Sequence, residues 1–179
     1  MDIKPIVELD LYIIRHGESM GNAGYGREDL TLKESQDPIL TEKGISQARA
    51  AGEFLKNTAF DAAYASPMLR AAHTAAEIIK YQDKKLPLNI MPEICEVGVV
   101  PEYKGVEIEE IQEFCPDAVY AEGTDITETR MRYDQHETPD KVNARAKFVV
   151  DHLRKRYKNG EKIASSLGYK PKADILKLL

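Results

Sequence analysis

Short apolar runs alternate along this chain with longer segments in which apolar residues recur every three or four positions. A short apolar run bounded by turn-forming residues is typical of a buried strand, whereas the wider spacing is typical of one face of a helix. The runs predict strands at residues 7–14 ("VELDLYII"), 59–66 ("AFDAAYAS") and 86–92 ("LPLNIMP"), and a further strand entered through "EKIAS" at 161–165. Strands and helices in alternation predict an α/β fold, a three-layer sandwich with a mostly parallel sheet and helices on both faces.

Three helices are predicted from their start signals. Thr41 is predicted as an N-cap, Ser66-Pro67 as an N-cap followed by proline at the first helical position, and Thr138-Pro139 as the start of a third helix. Each start precedes an apolar stripe: Ile45, Ala48, Gly52 and Leu55 in the first helix, Leu69, Ala72, Ala76 and Ile79 in the second, and Val142, Ala146, Val149, Leu153 and Tyr157 in the third, which ends at Asn159-Gly160.

The segment 93–133 lacks these patterns and is acidic and rich in glycine and proline, with one short helix predicted at 106–114. Long irregular connections over a sheet edge frequently cover a substrate site. The chain has 179 residues and shows no interdomain linker, so we expect a single domain over residues 1–179 in which 97–133 is an insertion or lid.

The composition is that of an ordinary globular protein, with 42% apolar and 31% charged residues. A formal net charge of -5 gives no electrostatic reason to expect binding to nucleic acid or to an acidic membrane. No signal-peptide pattern opens the sequence and no apolar run approaches the roughly 18 residues that span a bilayer, so we expect a cytoplasmic location. Two cysteines, Cys95 and Cys115, favour a reduced setting over a disulfide framework.

Candidate chemistry lies where two of the predicted strands end. Arg15-His16-Gly17 follows the first strand directly, and Arg70 comes just after the second. Ligands of α/β sheets bind beside the carboxyl ends of the strands, so the two guanidinium groups and the imidazole are expected to converge on one anion. Guanidinium groups match phosphate oxygens in a bidentate way, Gly17 permits close approach of the ligand to the backbone, and Asn22 can add a donor. A neutral His16 facing phosphorus is a suitable nucleophile.

Three segments in this order, "RHGESMGN" (15–22), "LTEKGISQARAAG" (40–52) and "YASPMLRAAHTAAEI" (64–78), together resemble the histidine phosphatase superfamily, also called phosphoglycerate mutase-like. The resemblance covers residues 12–79 well and the helix at 138–157 more loosely. It implies that His16 accepts the phosphoryl group as a phosphohistidine, which water then hydrolyses. It also implies that Arg15, Asn22 and Arg70 form the phosphate pocket, with no metal and no cofactor.

The family further uses a carboxylic acid to protonate the leaving oxygen, from a segment resembling Leu-Arg-Glu before a glycine-rich stretch. In this chain "MPEICEVG" offers Glu93 and Glu96. Glu96 is preferred because residues 94–97 match the pattern better, and Glu93 stays open as the alternative. A proton donor at this place is chemically sensible because an alkoxide leaves poorly without one.

One departure from the family concerns the end of the last predicted strand. Family members carry a second histidine there, in a Ser-His-Gly context, and it stabilises the transferring phosphoryl group. This chain has Ser166-Leu167-Gly168 at that place, and no histidine follows His152. Losing a preorganised donor typically costs about two to three orders of magnitude in rate. Because the tail at 164–179 becomes atypical abruptly, we expect a truncated or frame-shifted C-terminus; the alternative is a chain that no longer needs full catalysis.

The function expected from these observations is hydrolysis of a small phosphomonoester through a phosphohistidine, impaired by the missing second histidine. One alternative is a phosphoglycerate mutase-type phosphotransferase, which the absence of tryptophan disfavours because family mutases usually carry a Trp-containing segment soon after the first histidine. Another alternative is a non-catalytic phosphate-binding domain. The expected partner is a small phosphorylated substrate, with no nucleic acid and no membrane, and a homodimer is left open.

Overall fold

The structure, a computed structural model, describes residues 9–24, 30–96, 102–124 and 138–167. Its strands are β1 (Leu9–Arg15), β2 (Ala62–Ala65), β3 (Leu88–Ile90), β4 (Ala118–Tyr120) and β5 (Glu161–Leu167). Its α-helices are α1 (Met20–Ala23), α2 (Leu32–Gln36), α3 (Glu42–Leu55), α4 (Leu69–Ile79), α5 (Ile108–Gln112) and α6 (Pro139–Arg156), and two 3₁₀ turns lie at Lys56–Thr58 and Pro92–Ile94.

The five strands form one sheet in the order β1-β5-β2-β3-β4, and every neighbouring pair is parallel. The predicted parallel α/β fold is therefore confirmed. Strand β5 lies between β1 and β2, with Arg15 of β1 opposite Leu167 and Ala65 of β2 opposite Ser166. Because parallel strands run the same way, the carboxyl ends of β1, β5 and β2 meet at one edge of the sheet, where ligands of such sheets bind.

Apolar side chains fill both faces of the sheet and account for the three layers. On one face, residues of β2, β3 and β5 pack with the apolar stripe of α4 and with α5, and α3 packs against α4. On the other face, residues of β1, β2 and β5 pack with Leu153 and Val149 of α6. The two faces differ because successive side chains of a strand point in opposite directions. Among the described residues, no helix is long and apolar enough to cross a bilayer.

The predicted helix starts are confirmed at two of three places. Thr41 caps α3 by accepting a hydrogen bond from the Gly44 amide, and Thr138 caps α6 in the same way through the Lys141 amide. Ser66 is not an N-cap, and that prediction is wrong: α4 begins three residues later, with Met68 in the cap position and no side-chain cap of its own. The reason is that Asp37, from a distant part of the chain, accepts the hydrogen bond of the Leu69 amide at the start of α4.

The described parts of the segment 93–133 contain more regular structure than their composition indicates. The predicted helix at 106–114 is present as α5, and the three residues of β4, which the sequence pattern does not reveal, add an edge strand to the sheet. Tyr103, Val106 and Ile111 are buried, so this part contributes to the core. Two pieces of the expected lid, 97–101 and 125–133, lie outside the described residues, as does 168–179 of the expected tail. Helices α1 and α2 also lack a clear sequence signal and lie within a stretch interpreted as a loop.

Candidate active site

His16 follows β1 directly and is buried, with 9% of its surface exposed. Its Nδ1 atom lies 2.6 Å from the carbonyl oxygen of Gly17. Since a carbonyl oxygen can only accept a hydrogen bond, Nδ1 carries the proton, and the lone pair of the neutral ring is on Nε2. The backbone therefore fixes the tautomer that a nucleophilic Nε2 requires.

Burial lowers the pKa of His16 below its usual value of 6.5, and the positive charges of Arg70 and Arg15 lower this pKa further. The Gly17 carbonyl opposes the shift, because it accepts a hydrogen bond from the ring. Arg15 directly precedes His16 in the chain, and the Thr74 hydroxyl links the Gly17 amide to the Arg70 carbonyl, so the backbone of both arginines lies near the imidazole. The net result is a ring that stays uncharged at neutral pH.

Gly17 is the point at which the end of β1 meets helix α3. A Cβ atom on Gly17 would lie 2.4 Å from the carbonyl oxygen of Gly44, and a Cβ on Gly44 would lie 2.0 Å from the carbonyl oxygen of Glu18. The two backbone segments touch at a distance that no side chain permits. Glu18 completes this contact, since its carboxylate accepts hydrogen bonds from the Thr41 hydroxyl (3.0 Å) and from Lys43 (2.9 Å).

Arg70 lies in the first turn of α4 and is buried. Its Nη2 donates a hydrogen bond to the carboxylate of Glu96, and its Nη1 lies 3.6 Å from Oδ1 of Asp37. The guanidinium is thus held between two carboxylates from separate segments, which restricts its orientation. The structure brings Arg70 and Glu96 together, as a site containing both requires.

Asp37 has a fully buried carboxylate and joins three segments of the chain. Its Oδ1 accepts a hydrogen bond from the Leu69 amide at 2.8 Å, and its Oδ2 accepts one from the Tyr103 hydroxyl at 3.0 Å. Asp37 therefore supplies the cap of α4 that the sequence pattern assigns to Ser66. Burial raises the pKa of Asp37 to about 6, against the opposing influence of the Arg70 charge and of these two donors.

The remaining predicted site residues lie at different depths. Arg15 is exposed at the last position of β1. Asn22 is exposed on α1, where its side-chain oxygen accepts a 3.3 Å hydrogen bond from the Ser19 amide as part of a capping box. Asn22, predicted as a donor to a phosphoryl group, thus uses its side-chain oxygen at the start of α1, and its role in phosphate binding stays a prediction.

The two candidate acids differ in environment. Glu93 is buried within the 3₁₀ turn that follows β3, whereas the side chain of Glu96 is 37% exposed. Only two residues separate them, so both lie beside the same edge of the sheet. Leu167, which stands where the resemblance implies a histidine, occupies the last position of β5, directly opposite Arg15.

A family model described as the histidine phosphatase superfamily (branch 1) matches residues 11–166. The chain belongs to the histidine phosphatase superfamily. That match extends from β1 to β5 and so includes every predicted site residue.

Two curated relatives of this superfamily member are named as phosphatases. The chain is 37% identical over 81 residues to the fructose-2,6-bisphosphatase TIGAR of Xenopus laevis, an alignment covering 45% of this chain and 28% of that protein. It is 36% identical over 87 residues to the adenosylcobalamin/alpha-ribazole phosphatase of Salmonella typhimurium, covering 49% of this chain and 40% of the relative. The chain thus matches less than half of the length of either relative.

A solved structure supports the fold of this superfamily member over most of its length. The phosphoglycerate mutase of Bacillus anthracis superposes with a TM-score of 0.58 at 22% identity, covering 90% of this chain and 77% of that one. At this identity the likeness concerns the fold, which is phosphoglycerate mutase-like.

Asp37, which lies beside Arg70, and Thr74, which accepts a hydrogen bond from the Gly17 amide, are not among the site residues predicted from the sequence. Thr74 lies four residues after Arg70, a spacing that places both on one face of a helix, so it could have been found. Asp37 could not, because the helix that it caps begins 32 residues later. The described residues contain no cluster of three or more histidine, cysteine or carboxylate side chains arranged to hold a metal ion.

Proposed function

We propose that this chain hydrolyses small phosphomonoesters through a phosphohistidine formed on His16. The observation that carries the proposal is the hydrogen bond between Nδ1 of His16 and the Gly17 carbonyl at 2.6 Å. It leaves the lone pair of a neutral imidazole on Nε2, beside two guanidinium groups that lower the pKa of the ring. An uncharged nucleophile among cations is suited to attack on an anionic phosphorus centre.

In the proposed reaction, the Nε2 lone pair of His16 forms a bond to phosphorus while the bond from phosphorus to the ester oxygen breaks. Arg15 and Arg70 neutralise charge on the phosphoryl oxygens, and Asn22 donates a further hydrogen bond. Binding of the phosphoryl group at Arg70 competes with the Glu96 carboxylate, which occupies Nη2 of this guanidinium. In the proposed reaction, substrate binding therefore releases Glu96 from its ion pair, and the released carboxylate takes up a proton from solvent.

A carboxyl group gives its proton to the departing oxygen, so that an alcohol leaves in place of an alkoxide. The same group, now a carboxylate, takes a proton from the water that attacks phosphorus and breaks the bond to Nε2. We propose Glu96 for this role because it contacts Arg70, and Glu93 is the alternative because it lies buried in the same segment. The products are an alcohol, inorganic phosphate and the regenerated imidazole.

A second candidate function is phosphate binding without turnover. The observation that favours it is Leu167 at the end of β5 opposite Arg15, where the family resemblance implies a histidine that stabilises the transferring group. A phosphoryl group could be bound by the arginines in either case. The two functions differ in whether a covalent intermediate forms.

Trapping phosphate on the protein distinguishes hydrolysis, phosphate binding without turnover and the mutase alternative. The protein is mixed with p-nitrophenyl phosphate or with a bisphosphoglycerate, quenched in alkali to preserve phosphohistidine, digested, and analysed by mass spectrometry. Phosphate on His16 with release of nitrophenol and inorganic phosphate supports hydrolysis. Transfer to a glycerate acceptor without net release supports the mutase, and inorganic phosphate binding without any phosphoenzyme supports the binding domain.

His16→Asn tests the assignment of the nucleophile, with His73→Asn as the matched control. His73 is a half-buried histidine of α4 that stacks on Phe114 at a centroid distance of 4.6 Å and takes no part in the site. We expect H16N to lose the phosphoenzyme and at least about a thousandfold in turnover, and H73N to keep both. Phosphate trapped on another residue of wild type, or undiminished in H16N, contradicts the proposal.

A further inference from the structure

Arg145 lies on α6 and reaches across to the segment that carries both candidate acids. Its Nη1 donates hydrogen bonds to the carbonyl oxygens of Glu93, at 2.9 Å, and Cys95, at 2.6 Å. The side chain is half-buried and comes from a helix some fifty residues later in the chain. The Nη1 atom of Arg145 therefore binds two backbone carbonyl oxygens of one short turn.

These two bonds complete a turn that is otherwise closed by its own backbone. The amide of Ile94 donates to the Met91 carbonyl at 3.1 Å, and the amide of Cys95 donates to the Pro92 carbonyl at 3.0 Å. Arg145 supplies donors to the alternate carbonyls, those of Glu93 and Cys95. A hydrogen bond from a charged donor to a partly buried carbonyl oxygen is stronger than one from a neutral donor. The two bonds from Arg145 therefore hold the turn against α6.

The fixed turn leads directly into the site. Cys95 is fully buried, and the next residue, Glu96, binds the guanidinium of Arg70. A carboxyl at Glu93 lies inside the same turn. A displacement of this turn therefore moves either candidate acid relative to Arg70 and His16, and an error of about 1 Å in such a group can cost about a hundredfold in rate.

We propose that Arg145 is a positioning residue for the proton-donating carboxyl, acting through the backbone carbonyls of Glu93 and Cys95. This inference rests on the proposed phosphatase function, and it holds whichever of the two glutamates is the acid. Arg145 does not touch the substrate. Its effect falls on the proton transfers of this carboxyl, first to the leaving oxygen and then from the attacking water.

The test uses the dependence of rate on the leaving group. Nitrophenolate leaves without a proton, whereas the alkoxide of an alkyl phosphate needs one. Because kcat/KM reports the steps up to departure of the leaving group, misplacement of the acid lowers kcat/KM only for the second ester. We expect Arg145→Met to lower kcat/KM for an alkyl phosphate about 10- to 100-fold, and kcat/KM for p-nitrophenyl phosphate less than about threefold. Arg145→Lys, which keeps a cation on a shorter side chain, gives an intermediate ratio.

The ratio of the two kcat/KM values is measured on one sample, so partial unfolding of a variant cancels from it. Arg156→Met is the matched control, since Arg156 lies on the same helix and pairs with Glu122 at the surface, 2.8 Å away. We expect its ratio to equal that of wild type. The same ratio measured for E93Q and E96Q identifies the acid, because only the variant of the true donor shows the selective loss.

The outcomes separate this inference from the function on which it rests. A wild-type protein that forms no phosphoenzyme overturns both. In another outcome, wild type turns over and one glutamate variant shows the selective loss, but R145M slows both esters equally or neither. That outcome overturns only the role of Arg145. A selective loss in R145M with partial recovery in R145K supports it.

Discussion

The hydroxyl oxygen of Thr74 accepts a 3.0 Å hydrogen bond from the backbone amide of Gly17, and the hydroxyl donates to the carbonyl oxygen of Arg70 at 2.7 Å. All of these groups are buried. A single side chain thus connects the residue after the proposed nucleophile to the helix that carries the principal cation. We expect the position of Arg70 relative to His16 to depend on this connection.

Replacing Thr74 by valine tests the connection, because valine keeps the shape of the side chain and removes the hydroxyl. The buried amide of Gly17 then has no acceptor at this position, and we expect a loss of about 1–3 kcal/mol in the free energy of unfolding. Thr74→Ser keeps the hydroxyl and should stay closer to wild type. Urea denaturation measures the stability of both, and equal values for the two variants would show that the hydroxyl is not used.

The lowered pKa of His16 predicts how the imidazole titrates. The unfolded ring titrates near 6.5 and the folded ring at a lower pH, so the unfolded chain binds more protons in between. Stability contributed by His16 is therefore present above pH 6.5 and is lost as the pH falls through the folded value. NMR of ¹⁵N-labelled histidine should show a midpoint below 6.5 and a proton on Nδ1.

The Arg70→Gln variant provides the control for this titration. Removing the guanidinium charge takes away one of the causes that lower the pKa of His16, so the midpoint should rise towards 6.5. A midpoint at or above 6.5 in wild type contradicts both the burial of the ring and the proximity of the two cations.

The raised pKa of Asp37 predicts that its contribution to stability changes with pH in the opposite direction to that of His16. The pKa of its carboxyl is about 6 in the folded protein, against the ordinary aspartate value of 3.8, which applies to the unfolded chain. The folded state then binds more protons between these values, so the contribution of Asp37 to the free energy of unfolding falls as the pH rises from about 4 to 6. The total change corresponds to roughly 3 kcal/mol, at about 1.4 kcal/mol per pH unit.

Asp37→Asn isolates this contribution because asparagine retains an acceptor for the Leu69 amide and does not titrate. We expect the stability of wild type relative to D37N to decrease from pH 4 to pH 6 and to be constant above pH 7. Asp83→Asn, at an exposed position, is the control. A difference between wild type and D37N that is independent of pH would exclude the elevated pKa.

Leu167→His tests the significance of the departure from the family. The position lies at the end of β5 opposite Arg15, at the edge where the proposed phosphoryl group binds. If a preorganised donor is missing there, a histidine should raise kcat for an aryl phosphate by about 10- to 1000-fold. Leu167→Phe controls for the ring, and an increase of the same size in both variants excludes a role for the imidazole.

The fold was largely predictable because its main elements carry strong local signals. The stripe of α6 from Val142 to Tyr157 is partly or fully buried in the structure, as its spacing predicts. Strand β4 is not predicted because its short apolar run, residues 118–121, lies in a segment that is otherwise acidic and irregular. The start of α4 was misplaced because its first amide is capped by Asp37, and a cap supplied by tertiary structure leaves no trace in the neighbouring sequence.

Some residues of the candidate site were likewise predictable from local sequence signals, and others were not. His16, Arg15 and Arg70 were predictable from the ends of β1 and β2, since the topology of a parallel sheet brings such ends together. The two carboxylates that hold Arg70 come from separate loops, and their pairing depends on how those loops pack. Arg145 was not predictable either, because it acts on backbone carbonyls, which every residue has.

The order of the strands has a consequence for synthesis on the ribosome. His16 and Arg70 emerge before β5, yet in the described sheet the strands that precede them, β1 and β2, pair with β5 and not with each other, and β5 follows β2 by about a hundred residues. A nascent chain released from the tunnel up to α6 contains Thr74, which links Gly17 to Arg70, but it lacks the strand that holds the ends of β1 and β2 side by side. We expect the ability to bind phosphate to arise only when β5 is inserted, so His16 and Arg70 acquire their chemistry well after they have been synthesised.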